Sequence, residues 1–221
     1  MSARIDHLVV LADSLEQGAA WCQTALGVAP EPGGRHPLFG THNRLLAIGT
    51  PTFELAYLEI IAVDPQAPPL ARTRWFDMDD ERLLAEVRTQ GPRLIHWVAR
   101  VPDLALAVAT LAAQGIERGE PLQASRMTDR GPLEWQIAVR PDGQRLFDGC
   151  LPTLIEWGAV HPAAAMPESG VRLQGLCLQH PQARRLHEAL ASVGLADVPT
   201  EEAAVARVQA ELLTPRGRIL I

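Results

Sequence analysis

In Ile5-Asp6-His7-Leu8-Val9-Val10, and again in Leu94-Ile95-His96-Trp97-Val98-Ala99, a single histidine lies within a short apolar run. Each run is followed by an amphipathic stretch that begins with Asp and ends at Gly, Gly27 in the first copy and Gly115 in the second. Short apolar runs predict strands, and the amphipathic stretches predict helices. The chain therefore contains a duplicated strand–helix unit with a polar residue at the same place in both copies.

Each copy ends in a strand-like run with one acidic residue, Glu59 in the first copy and Glu156 in the second. Together with the histidines they give the order His7, Glu59, His96, Glu156. An ionised carboxylate on an otherwise apolar strand face is costly unless it is paired or bound to a metal. These four side chains are therefore candidates for a shared site.

Composition restricts the class of protein. The chain has 221 residues, a net charge of −6 and a pI near 5.6, and its basic charge comes from scattered arginines, which argues against nucleic-acid binding. It has neither a long apolar run nor a signal segment, so we expect a cytoplasmic protein that does not bind membranes. Its cysteines, Cys22, Cys150 and Cys177, are odd in number and lack metal-finger spacing, which favours reduced thiols.

The order of predicted elements indicates an α+β fold of paired βαβββ modules. A third, truncated copy follows a Pro/Ala-rich linker and has Gly175 where the other copies have histidine. We expect all parts to pack as one compact unit. The predicted boundaries are 3–63 for the first module, 64–92 for a connector, 93–160 for the second module and 171–221 for a strand-helix-strand-strand copy.

Three local predictions concern loops and helix starts. Asp13, with Glu16 three residues later, predicts a capping box at the start of the first helix. The Gly/Pro-rich stretch 30–37 predicts a loop. In the connector, Trp75 and Phe76 are expected to pack on the seam between the modules, and the alternative is that they close over a site.

The repeated unit, with His on its first strand and Glu on its last, resembles the vicinal oxygen chelate superfamily. The amino-acid sequence is most similar to the glyoxalase-like domain branch, over about residues 3 to 180. The segments that carry this resemblance are Ile5-Asp6-His7-Leu8-Val9, Gly33-Gly34-Arg35-His36, Gly40-Thr41-His42-Asn43-Arg44-Leu45-Leu46, Tyr57-Leu58-Glu59 and Leu151-Pro152-Thr153-Leu154-Ile155-Glu156-Trp157.

The resemblance implies that the two modules form a cup with a divalent metal at its centre. The order of residues is that of bacterial glyoxalase I, which implies His7, Glu59, His96 and Glu156 as ligands of Ni, Co, Mn, Fe or Zn. Such an ion binds a small-molecule substrate through two adjacent oxygens, and Glu59 or Glu156 would act as the catalytic proton carrier. The implied activity is that of a lyase or isomerase.

Residues around the Gly-rich stretch form a candidate substrate-binding lip. Arg35, His36, His42 and Asn43 cluster there in sequence, and such a cluster suits an anionic substrate. The alternative is a solvated turn without function.

Other interpretations stay open at the level of sequence. Either histidine can be a structural residue that is hydrogen-bonded to the backbone, Glu59 can pair with Arg44 or Arg100, and Glu156 can face solvent. Two complete modules in one chain are enough to build a cup, so both a monomer and a homodimer fit.

Two rival functions also fit. In an extradiol-type dioxygenase, His7, His96 and Glu156 would bind Fe(II), although Glu59 would then occupy a position that oxygen needs. In a metal-free binding protein, the same cup would hold a small molecule without converting it.

Overall fold

The computed structural model describes residues 2–128 and 131–221 and contains an eight-stranded and a four-stranded sheet. The strands of the large sheet are β1 (Arg4–Leu11), β2 (Glu31–His36), β3 (Thr41–Ala47), β4 (Tyr57–Val63), β5 (Arg93–Arg100), β6 (Pro121–Thr128), β7 (Gly131–Ala138) and β8 (Thr153–Trp157). Their spatial order is β2-β3-β4-β1-β5-β8-β7-β6. Two four-stranded halves therefore meet at the antiparallel β1–β5 pair.

Each half has the same connectivity. Helix α1 (Leu15–Trp21) follows β1, and helix α3 (Leu104–Ala112) follows β5. The last strand of each module returns to pair in parallel with its first strand, β4 with β1 and β8 with β5. The predicted α+β class with paired βαβββ modules is confirmed.

The two faces of the large sheet bury different groups. One face packs against α1, α3 and the third copy in a single apolar cluster that includes Leu8, Leu58 and Trp97. The other face carries a second cluster that includes Val9 and Phe76 and surrounds the site described below. Among the described residues, no helix is both long and apolar enough to cross a membrane.

The connector contributes helix α2 (Glu81–Gln90), whose N-cap Asp80 accepts hydrogen bonds from the backbone of the first turn. The third copy forms the small sheet from β9 (Arg172–His180), β10 (Thr200–Glu202), β11 (Arg207–Thr214) and β12 (Gly217–Leu220), together with helix α4 (Ala183–Ser192). The Leu173 amide donates to the Ile48 carbonyl at 2.8 Å and joins this copy to the first module.

Two local predictions were wrong. Stretch 30–37 is not a loop but contains strand β2 at the edge of the sheet, where proline is tolerated. Gly33 allows β2 to approach β3 closely, since a Cβ at this position would lie only 2.1 Å from the Asn43 side chain. The N-cap of α1 is Ser14 rather than Asp13, since the Ser14 hydroxyl accepts the Gln17 amide. Cys22, Cys150 and Cys177 are free thiols, which agrees with the expected reduced state.

Candidate functional site

The face of the large sheet that carries the second apolar cluster borders a small cavity of about 40 Å³. Its lining comes from both modules and from the connector, and it includes His7 and Glu59. The remaining side chains that line it are His36, Asn43, Leu45, Tyr57, Trp75, Phe76, Arg126, Leu133, Trp135, Ile137, Ile155, Trp157 and Pro162. One chain therefore builds the whole cavity.

A β-bulge in β1 orients the histidine of this cavity. Ile5 pairs with Ala99 and His7 pairs with the adjacent Val98, so Asp6 is an extra residue in the ladder. A bulge re-aims side chains, and here the buried Asp6 carboxylate lies 2.6 Å from His7 Nδ1. The carboxylate accepts the Nδ1 proton and leaves His7 Nε2 available on the other side of the ring.

Asp6 is held as a buried anion. Its second oxygen, Oδ2, accepts hydrogen bonds from Trp157 Nε1 and His161 Nε2, both at 2.9 Å. Burial alone would raise the pKa of the Asp6 carboxyl, but hydrogen bonds from His161 and His7 outweigh it and hold that pKa well below its usual range. A buried negative charge therefore lies in direct contact with the His7 ring.

Glu59 faces His7 across the site. Glu59 Oε2 lies 3.6 Å from His7 Nε2, and Glu59 Oε1 accepts a 2.6 Å hydrogen bond from Asn43 Nδ2. The partners of this carboxylate are therefore an imidazole and an amide, and the pairings with Arg44 or Arg100 do not occur. The His7 ring also stacks on Tyr57 with centroids 4.5 Å apart, which fixes its plane.

His36 and Asn43 support Glu59 from behind. Asn43 Oδ1 accepts the Gly34 amide at 2.7 Å, and Asn43 Nδ2 lies 3.3 Å from His36 Nε2. Burial lowers the pKa of His36 to about 3, so this ring is neutral and donates from Nδ1 to Thr41 Oγ1 at 3.0 Å. These contacts fix the rotamer of Asn43 and thereby the position of the Glu59 carboxylate.

Arg35 and His42, the other two predicted lip residues, lie away from the cavity. They are cross-strand partners on β2 and β3, so their side chains share a face opposite to those of His36 and Asn43. Arg35 is exposed and forms an ion pair with Asp64 at 2.9 Å. Because side chains alternate along the two strands, two of the four predicted substrate-binding residues line the cavity and the other two lie on the opposite face.

His96 is buried and fully hydrogen-bonded to its own module. Its Nδ1 donates to the Gly149 carbonyl at 3.0 Å, and its Nε2 accepts from the Thr153 amide at 3.1 Å. Burial lowers the pKa of His96 well below its usual range, so the ring is neutral. Both nitrogens are occupied, which makes His96 a structural residue.

Glu156 lies on the outer face of β8. Its neighbours Ile155 and Trp157 line the cavity, so alternation turns Glu156 away from it. The Glu156 carboxylate accepts the Leu104 amide at 2.7 Å, at the start of α3. There it satisfies a free helix N–H and interacts favourably with the helix dipole.

The predicted set of four ligands therefore does not converge. His7 and Glu59 come together, whereas His96 and Glu156 are used elsewhere. Within the described part of the chain, no group of three or more His, Cys, Asp or Glu side chains has an arrangement that could hold a metal ion.

Several site residues were missed from the sequence. Asp6 carried a signal, since a carboxylate inside an apolar strand needs a buried partner. No sequence signal identified Trp157, His161 and Arg126 as site residues, because they reach the site from elements that are distant in sequence. Trp75 and Phe76 do line the cavity, and their rings stack with centroids 4.9 Å apart.

Comparison with known proteins finds a matching family model and solved structures with a similar fold. A family model described as a glyoxalase-like domain matches residues 5–194. A hypothetical protein from Staphylococcus aureus has a similar structure, with 15% identity, a TM-score of 0.59, and coverage of 100% of this chain and 84% of that chain. A methylmalonyl-CoA epimerase from Mycobacterium tuberculosis aligns at 16% identity and a TM-score of 0.41, over 74% of this chain and 92% of that chain. No curated protein sequence matches.

Proposed function

Because the chain belongs to the glyoxalase-like domain family, and because its cavity holds an acid–base pair, we propose that it is an isomerase or lyase that transfers a proton on a small carbonyl substrate. The observation that carries this proposal is the alignment of Asp6, His7 and Glu59, with Glu59 Oε2 3.6 Å from His7 Nε2. Two acid–base groups that flank one cavity can remove a proton and return it.

Glu59 is the proposed base. Its carboxylate removes a proton from the carbon next to the substrate carbonyl and becomes a carboxylic acid. The C–H electron pair forms the C=C bond of an enolate, and the π pair of the carbonyl moves onto its oxygen. Return of the proton to the same carbon gives only exchange with solvent, whereas its delivery to the former carbonyl carbon of an α-hydroxy carbonyl compound completes an isomerisation. The hydrogen bond from Asn43 holds Glu59 in one position, which lowers the entropic cost of reaction.

His7 is the proposed electrophile. When protonated, it donates from Nε2 to the developing enolate oxygen, and the Asp6 carboxylate stabilises the imidazolium from Nδ1. Asp6 acts as a positioning residue that keeps the ring orientation and the tautomer. The apolar rings of Trp75, Phe76 and Trp157 exclude water from the cavity and strengthen these interactions.

A metal-dependent form of this enzyme is the second candidate. The four predicted ligands do not fit an ion, but His7 and Glu59 do fit as a pair, since Asp6 backs His7 in the way that carboxylates back metal-binding histidines. Ni, Co, Mn, Fe or Zn bound there would supply Lewis-acid chemistry at the carbonyl oxygen. The dioxygenase alternative has less support, because His96 and Glu156 of its proposed triad lie elsewhere.

The proposal is tested by solvent exchange. Wild-type protein is incubated in D2O with a panel of carbonyl compounds (2-oxobutanoate, dihydroxyacetone and the hemithioacetal of methylglyoxal), and the loss of the acidic C–H signal is followed by proton NMR. We expect Glu59→Gln to lower the exchange rate at least about 100-fold. Glu156→Gln, the same change on the outer face of β8, should leave the rate within about three-fold.

Other outcomes separate the alternatives. Probes that bind wild type but never exchange would point to the metal-free binding protein. Unchanged exchange in Glu59→Gln would overturn the assigned base. Metal analysis of protein purified without chelator, followed by loss of exchange with EDTA and its recovery with one of the five ions, would establish the metal-dependent form.

A further inference from the structure

A larger groove opens outside the small cavity. It has a volume of about 430 Å³ and shares Leu45, Arg126, Leu133 and Pro162 with the cavity, so the two spaces adjoin. The inner cavity has room for only about three or four water-sized groups, on the scale of one water per 10–15 Å³. Any substrate beyond that size must extend into the outer groove.

Arg126 lies where the two spaces meet. It extends from β6 of the second module, and its Nη1 packs against Gly34 of the first module, where an added Cβ would lie 1.6 Å away. Arg126 lines the cavity together with His36 and Tyr57. Among the described residues, the guanidinium has no hydrogen bond or ion pair, although it is only partly exposed.

The walls of the outer groove are mostly apolar. The side chains that form them include Pro132, Leu133, Val160, Pro162, Ala165 and Met166. Glu31 lies on the same groove and would repel a second negative group. Within the described residues, the surface therefore combines a guanidinium that has no polar partner, close to His7 and Glu59, with an apolar channel that leads outward.

We propose that the substrate is an organic monoanion whose carboxylate pairs with Arg126 and whose apolar tail lies in the outer groove. This inference rests on the proposed function, since the substrate carbonyl would then lie in the cavity beside His7 and Glu59. A guanidinium binds a carboxylate through two parallel hydrogen bonds, which orients the substrate as well as attracting it. The chemical class is a 2-oxo or related carbonyl acid with a hydrocarbon chain.

Binding of a homologous series tests the two halves of the inference. The probes are the 2-oxo acids from 2-oxobutanoate to 2-oxooctanoate, together with 2-octanone, which lacks the carboxylate, and their affinities are measured by calorimetry. We expect the wild-type affinity to rise about three-fold for each added methylene. Val160→Asp should flatten that dependence, because it places a charge in the groove.

Arg126→Gln should weaken binding of every acid about 10- to 100-fold and leave binding of 2-octanone unchanged. Arg126→Lys should recover part of the loss. Arg172→Gln, on an exposed position of β9, is the matched control and should bind like wild type. Binding of 2-octanone also reports that each variant is folded.

The inference fails if Arg126→Gln binds the acids as tightly as wild type, or if affinity does not depend on chain length. Failure of the proposed function looks different, because the acids would then bind through Arg126 without exchanging their C–H protons. Exchange that needs Glu59 but not Arg126 would keep the function and remove this substrate class.

Discussion

The two modules have equivalent backbones and different chemistry. His7 pairs with Val98 across the β1–β5 seam, and Val9 pairs with His96, so the two histidines occupy equivalent positions about that seam. His7 nevertheless faces a cavity and another acid–base group, whereas His96 is enclosed by hydrogen bonds within its own module.

The bulges are also equivalent. Asp6 is the extra residue in β1, and Ile95 is the extra residue in β5, since Val9 pairs with His96 and Val10 pairs with Leu94. Asp6 orients a histidine in the first module, whereas Ile95 contributes apolar packing in the second. The same kind of bulge therefore brings a carboxylate to a histidine in the first module only.

The residue that faces each histidine from the last strand of its module also differs between the modules. Val9 pairs with Glu59, and its equivalent Val98 pairs with Thr153. Thr153, and not Glu156, is therefore the counterpart of Glu59, and its hydroxyl lies 3.0 Å from His96 Nε2. The difference teaches that two copies of one scaffold can hold different side chains: the first module brings His7 and Glu59 together, while the second encloses His96 and supplies part of the cavity wall.

The largest effect is expected from Asp6→Asn. The amide cannot stabilise a protonated His7 and presents a donor as readily as an acceptor, so the exchange rate in the NMR assay should fall about 100- to 10,000-fold. Ile95→Val, at the equivalent bulge, should stay within about three-fold. Asp6→Asn with a wild-type rate would show that His7 needs no carboxylate.

His96→Ala should affect stability instead. It leaves the Gly149 carbonyl and the Thr153 amide without partners and opens a cavity, which costs about 2–4 kcal/mol of unfolding free energy in urea denaturation. Exchange per folded molecule should remain close to wild type. His187→Ala, on an exposed position of α4, is the control, and equal stability of the two variants would contradict a structural role for His96.

Acid should destabilise the second module through the same histidine. The pKa of His96 is lowered by burial, so the unfolded chain binds a proton below pH 6.5 that the folded chain refuses. Stability is thus fully present above pH 6.5 and is lost as pH falls, by up to about 1.4 kcal/mol per pH unit for this group. His96→Asn should reduce the slope by that amount, and an unchanged slope would assign it to other groups.

Glu156→Gln should have the smallest effect. It weakens the charge-assisted hydrogen bond to the Leu104 amide and the interaction with the α3 dipole, at a cost of about 0.5–1 kcal/mol in urea denaturation. Because Glu156 points away from the cavity, its loss should act on stability alone. A loss of exchange larger than about ten-fold would place it in the reacting site.

The sequence predicted the elements better than the site. Apolar runs and caps located β1, β5, α3 and the duplication, because these features depend on neighbours in the chain. His7, Glu59, His36 and Asn43, which were singled out in the sequence as ligands or substrate-binding residues, line one cavity. Arg35 and His42 were placed with His36 and Asn43 because stretch 30–37 was predicted to be a loop, where the alternation of side chains does not apply; in strand β2 alternation turns Arg35 to the opposite face from His36.

The sequence by itself determined the duplicated βαβββ scaffold and the placing of one imidazole in each first strand. Only the tertiary structure decided which imidazole lines a cavity and which is enclosed by hydrogen bonds. A bulge adds one residue and turns Asp6 toward His7, and strand register places Thr153 rather than Glu156 opposite the second histidine. Both depend on hydrogen bonds between distant strands, and a shift of one residue moves every side chain to the other face.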